Sequence, residues 1–160
     1  MTNIDTTAQI SSHFTYGEAL WLPTWGRMGN DTDGLTGDVI ARLTFLFQKM
    51  DVVRDYFGKP IRVHVAWRPE AYNRLIGGAT NSAHRAQVDG SGAELPGNGM
   101  EAAVDFDVEG LTCDQARQMI LNDNKLEEWG MRMEDNGAGA SWIHLDTRQP
   151  LPGHQRFFKP

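Results

Sequence analysis

Residues 130–148, GMRMEDNGAGASWIHLDTR, decide the fold. GMRME reads as a strand, DNGAGA as a Gly-rich turn and SWIHLDTR as a second strand. Two strands joined by so short a turn pair antiparallel. In the second strand, apolar Ile143 and Leu145 alternate with Trp142, His144 and Asp146. Successive strand side chains point to opposite faces, so His144 and Asp146 project together from one face with an apolar face behind them.

Working outward, TCDQARQMILNDNKLEEW (112–129) reads as one helix, opened by Thr112 with Gln115 three residues on, close to a capping box. AAVDFDVEG before it is a strand. Residues 77–99 are Gly-rich and loop-like, long enough for a functional or mobile loop, and 85–100 form an inserted loop. PEAYNRLIG reads as a short helix with Pro69 in its first turn, and PIRVHVAWR as an alternating strand. Further upstream, Val39, Leu43, Leu46, Phe47, Met50, Val53 and Phe57 recur at steps of three or four, the signature of a helix with a core-facing stripe. Asp38 is the expected cap, and Gly58 with Pro60 the stop. Residues 1–36 are expected to be irregular, with a helical turn at Tyr16–Leu20 and with Trp21 and Trp25 packing on the domain. QPLPGHQRFFKP is expected to be coil.

The expected fold class is α+β: a small, mostly antiparallel sheet with helices packed on one face, in a single domain over 1–160. A net charge of −6 argues against a general nucleic-acid binder, since little would neutralise a phosphate backbone. The single Cys113 excludes an intramolecular disulfide and a cysteine-only metal site; it reads as a small buried hydrophobe. No segment approaches the roughly 18 apolar residues of a membrane span. The N-terminal residues have no basic start and no apolar run, so no secretory signal is expected.

Two imidazoles and a carboxylate, His84, Asp105 and His144, make the three-ligand set of a catalytic zinc, with a fourth position left for water. Zinc tolerates mixed nitrogen and oxygen donors. Asp107 competes with Asp105, because both face the same side of their strand.

VAWRPEAYNRLIGGATNSAH, then AVDF, then WIHLDTR, resemble the zinc peptidoglycan peptidases of the D-alanyl-D-alanine carboxypeptidase and L-alanyl-D-glutamate endopeptidase family. SSHFTYGEAL and DYFGKPIRV are similar to phage-borne members. The resemblance spans essentially the whole chain. It implies the Hedgehog/DD-peptidase fold and a Zn2+ ion held by His84, Asp105 and His144. It implies Ser82 as a substrate-binding hydroxyl, and Arg68 as the arginine that holds substrate and stabilises charge at the scissile carbonyl. The implied substrate is a D-amino-acid-containing bond of the peptidoglycan stem peptide, cut as an endolysin or a carboxypeptidase would. A monomer without membrane insertion is expected, made in the cytoplasm and released to the cell wall at lysis or carried on a virion. The alternative is a catalytically silent cell-wall-binding or virion structural module.

Two features depart from the family. The gap from His84 to Asp105 is stretched by RAQVDGSGAELPGNGM, with Glu101 in place of the usual Gly; the inserted loop is expected to act as a substrate-selecting lid or to block the site. Many members carry an acid three residues before the last ligand as general base, and here that residue is Ser141. Asp146 is the first substitute, as base or as a carboxylate orienting a ligand, with Glu101, Glu134 and Asp135 as rivals.

Overall fold

The computed structural model describes residues 3–87 and 100–160. Its elements are α1 (Tyr16–Leu20), β1 (Trp21–Leu22), β2 (Arg27–Met28), α2 (Gly37–Phe57), β3 (Ile61–Val65), α3 (Glu70–Leu75), β4 (Ala103–Val108), α4 (Cys113–Asn122), α5 (Lys125–Trp129), β5 (Arg132–Glu134), β6 (Ile143–Asp146) and β7 (Phe157–Phe158). β1 and β2 form a separate antiparallel pair. The other strands form one sheet in the order β3-β4-β6-β5-β7, antiparallel except for the β5–β7 pair. The fold is the α+β arrangement expected, and no helix among the described residues is long and apolar enough to cross a membrane.

Strand alternation divides the sheet into two unlike faces. Val104, Phe106, Val108, Met133, Ile143 and Leu145 are buried with the apolar stripe of α2 and with Ala116 and Ile120 of α4 in one core. The intervening positions put Asp105, Asp107, Arg132, Glu134, His144 and Asp146 on the other face. One face thus makes the core and leaves the other for polar chemistry.

Several local readings are corrected. The cap of α2 is Thr36, whose hydroxyl accepts from the Val39 N–H at 3.3 Å. Asp38 instead lies in the first turn and pairs with Arg42 at 2.9 Å. The other end stops as expected, with Gly58 at φ +61°, a left-handed cap that a side chain disfavours. The single helix expected over 112–129 is broken, because Asn124 adopts φ +52° between α4 and α5. Thr112 and Gln115 do form the reciprocal capping box. The tail is not all coil: Phe157–Phe158 pair with Met133–Glu134 as a parallel edge strand. The alternation of β3 is interrupted by a register shift between Val63 and Val65, which sets Val65 opposite Asp105. Most of the expected inserted loop, residues 88–99, lies outside the described residues.

After residue 87 the described chain resumes at Met100, just before β4. At re-entry, buried Glu101 pairs with buried Arg42 of α2 at 3.0 Å. The Thr147 hydroxyl donates to the Met100 carbonyl at 2.7 Å and accepts from the Ala102 N–H at 3.0 Å. These contacts fix the start of β4 just before Asp105.

Candidate metal centre

Asp105 and His144 are directly opposite one another across the β4–β6 pair. Opposed side chains in an antiparallel pair begin about 5 Å apart, so register alone delivers this carboxylate and this imidazole to one place. His144 Nδ1 lies 3.0 Å from Asp105 Oδ1. His84 arrives from a single 3-10 turn, Ala83–Arg85, beyond the end of the sheet. That turn is held by the Arg68 N–H, which donates to the His84 carbonyl at 2.8 Å. Ala86 closes the turn at φ +49°, a conformation costly for a residue with a Cβ. His84 Nε2 then stands 3.1 Å from Asp105 Oδ1 and 3.2 Å from His144 Nδ1.

The three atoms form a closed triangle, each edge 3.0–3.2 Å, and all three residues are buried. Ligand atoms about 2.0–2.1 Å from a tetrahedral zinc lie about 3.3 Å apart. The donor set of two nitrogens and one oxygen therefore has the composition and spacing that a small divalent cation requires.

Each candidate ligand is aimed by a second contact. His84 Nδ1 lies 2.7 Å from the Ala66 carbonyl oxygen. That oxygen can only accept, so the hydrogen sits on Nδ1 and Nε2 offers its lone pair to the cluster. His144 Nε2 lies 3.2 Å from Asp146 Oδ2. Arg132 donates to both oxygens of Asp146 at 2.9 Å, and the Arg148 N–H donates to Oδ1 at 3.1 Å. Asp105 spends its second oxygen on Arg68, whose Nη2 donates at 2.6 Å. Carboxylate-to-histidine and carbonyl-to-histidine contacts of this kind fix tautomer and ring orientation at metal sites.

The electrostatics follow from burial and these partners. Burial opposes ionisation of Asp105, yet the adjoining imidazoles of His84 and His144 hold its carboxyl well below the usual range. Burial lowers the pKa of His84, with Asp105 opposing but not prevailing. Burial also disfavours a charged His144, but hydrogen bonds to Asp105 and Asp146 outweigh it and raise the pKa to about 9. Asp146 is held low by His144 and Arg132 against its own burial. Without a metal, the two flanking carboxylates favour the protonated form of His144.

The structure brings His84, Asp105 and His144 together and sets Arg68 against Asp105. Arg68 Nε is buried and has no partner among the described residues, which leaves a donor unused beside the cluster. Ser82 lines a cavity of about 290 Å3 that also takes in Arg132, Glu134, His144 and Asp146. Asp107 is engaged elsewhere, by Arg62 and by His64, the latter at 2.7 Å. Asp146 is 1% exposed and meets the nitrogen of His144 that faces away from the triangle, a placement that fits the orienting role and not a base. Glu101 is turned to Arg42. Asp135 accepts from the Gly137 N–H at 3.2 Å within its own turn. Of the four acids considered as base, Glu134 is the one on the cavity wall without a hydrogen bond or ion pair among the described residues. Sequence reading missed the Arg132 clamp on Asp146. The available signal was opposite charge at matching positions of the two hairpin strands, Arg132 and Asp146 being cross-strand partners.

A family model described as Peptidase M15 matches residues 12–146 of the chain. No curated protein and no solved structure matches it significantly.

Proposed function

The chain belongs to the peptidase M15 family, a metallopeptidase family, and from that premise we propose that it is a zinc-dependent peptidase cutting D-amino-acid-containing bonds of bacterial cell-wall stem peptides. The observation that carries this reading is the closed triangle of His84 Nε2, Asp105 Oδ1 and His144 Nδ1. Zinc bound there would supply Lewis acidity, acidifying water and polarising a peptide carbonyl. His84, Asp105 and His144 are the proposed ligands, and Asp146, clamped by Arg132, orients His144.

Glu134 is the proposed general base. In the β5–β6 pair Arg132 faces Asp146 and Met133 faces Leu145, so the next step sets Glu134 across from His144. The Arg132–Asp146 contact shows which face these side chains take, and alternation puts Glu134 and His144 on that face too. From the cavity wall its carboxylate takes a proton from the attacking water and passes it to the leaving amine. Ser141, three residues before His144, is thereby relieved of a task that a hydroxyl performs poorly. Arg68, held against Asp105 through Nη2, is the proposed donor to the scissile carbonyl as negative charge develops there. Ser82 contributes a hydroxyl to the same cavity.

The proposed setting is a monomeric, phage-type enzyme delivered to the cell wall with the stem peptide as its partner. Purified muropeptides incubated with zinc-loaded protein, with and without a chelator, test the reading. Chelator-sensitive cleavage that His84→Ala abolishes is expected. Zinc uptake without cleavage of any stem peptide would favour the silent module.

A further inference from the structure

The edge strand β7 has no part in the chemistry proposed above, yet its two residues divide between the faces of the sheet. Phe157 packs on the hydrophobic core, and Phe158 lines the cavity over the metal cluster. Backbone hydrogen bonds fix the strand to β5. The Met133 N–H donates to the Arg156 carbonyl at 2.8 Å, and the Asp135 N–H donates to the Phe158 carbonyl at 2.6 Å. That register sets Phe158 across from Glu134. The Phe158 ring then covers the Arg132 guanidinium, whose Cζ lies 4.1 Å from the ring centroid. The same ring meets the His144 imidazole edge-on, with centroids 6.4 Å apart and planes at 82°. Arg132 directs Nε and Nη2 at the two oxygens of Asp146. Those hydrogen bonds lie in the guanidinium plane and leave its flat faces to be covered. An aromatic ring covers such a face attractively and does not compete for the in-plane donors. An aliphatic side chain would lack the attraction, and a carboxylate there would draw the fork away from Asp146.

We infer that Phe158 is a positioning residue of the metal centre. It supplies no ligand atom and acts through Arg132. The ring sets the plane of the guanidinium, the guanidinium holds both oxygens of Asp146, and Asp146 aims His144 through Nε2. A two-residue strand that follows the matched residues 12–146 is thereby part of the site, and metal affinity depends on the side chain at 158. The inference rests on the reading of His84, Asp105 and His144 as metal ligands, and not on which peptide is cut.

Zinc affinity, measured by competition with a chromophoric chelator on the intact protein, tests this. The variants are Phe158→Leu, Phe158→Tyr, Asp146→Asn and Phe158→Leu/Asp146→Asn. Leu keeps apolar bulk at a half-buried edge position, and Tyr keeps the ring face. Phe158→Leu is expected to weaken zinc binding about 3- to 10-fold, with Phe158→Tyr within about twofold of the unsubstituted protein. Asp146→Asn already cuts the clamp, so adding Phe158→Leu to it is expected to cost no more than about twofold further. Unchanged affinity in Phe158→Leu would overturn the inference. So would a loss that Phe158→Tyr shares, or one of equal size on the Asp146→Asn background, since either marks general packing and not a contact relayed through Arg132. Cleavage of stem peptides is scored apart. Chelator-sensitive cleavage with zinc affinity indifferent to Phe158→Leu removes the positioning role alone. The relayed affinity effect without any cleavage removes the hydrolase reading alone, and unsubstituted protein that takes up no zinc removes both.

Discussion

His144 is the residue on which most of the site's chemistry converges. One nitrogen faces Asp105 and His84, and the other faces Asp146. Its raised pKa, about 9, means that metal must displace a proton from Nδ1. Near pH 7.5, zinc uptake is therefore expected to release about one proton. Titration calorimetry in buffers of different ionisation enthalpy measures this, and affinity should rise with pH until about 9. The same shift makes metal-free stability depend on pH. The unfolded histidine loses its proton near 6.5 while the folded one keeps it to about 9, so this contribution is complete below about 6.5 and is lost as pH rises to 9. Melting of chelated protein should fall over that window, and zinc-loaded protein should not follow it. Asp146→Asn is expected to weaken zinc binding by about 10- to 100-fold, the usual cost of removing a ligand's orienting partner. Glu134→Gln should lower kcat by about 10²- to 10⁴-fold with zinc content unchanged. The ligands themselves were legible in the sequence as residue types. The division of labour among the acids was not, because it depends on which nitrogen of His144 each carboxylate meets and on whether an arginine already holds it.

At the scale of elements, strands were easier to read than their partners. The hairpin of β5 and β6 follows from GMRME, a Gly-rich turn and SWIHLDTR, and its register places Arg132 on Asp146. The edge strand β7 escaped detection because Phe157–Phe158 are only two residues among Pro, Gly and charged neighbours, and their pairing with β5 is set by contacts distant in sequence. The break between α4 and α5 escaped for a related reason: the polar run NDNK at 122–125 is compatible with a helix surface, while the left-handed turn at Asn124 is a local backbone choice that periodicity does not report. Glu101 was read as a departure at a family glycine. In the fold it joins the start of β4 to α2 through Arg42, a pair in which both partners are at most 5% exposed. Removing one member of a buried pair costs about 3–5 kcal/mol, and the lower figure applies here because Asp38 still meets Arg42. Glu101→Ala should thus destabilise the protein by about 3 kcal/mol in urea unfolding, whereas Arg42→Met with Glu101→Leu should be near neutral.

For the whole molecule, the sheet separates stability from chemistry. One face, packed against α2 and α4, supplies the core, and the opposite face carries a chain of charged groups from Asp107 through Asp105 and His144 to Arg132. That division was legible from alternation alone in AAVDFDVEG and SWIHLDTR. The convergence of His84 was not, since its turn is brought in by backbone contacts to Ala66 and Arg68 that no spacing encodes. Burying charged and imidazole groups around one point is unfavourable unless something compensates, so a bound cation should stabilise the entire fold. Free zinc at a thousandfold excess over its Kd should add about 4 kcal/mol, read as a rise in Tm that chelator reverses. The most direct measurement is zinc-edge anomalous diffraction from crystals of the zinc-loaded protein. The account expects one strong peak about 2.0–2.2 Å from His84 Nε2, Asp105 Oδ1 and His144 Nδ1, with a fourth position open to solvent. A zinc bound elsewhere, or no peak within reach of these three atoms in zinc-saturated crystals, would contradict it.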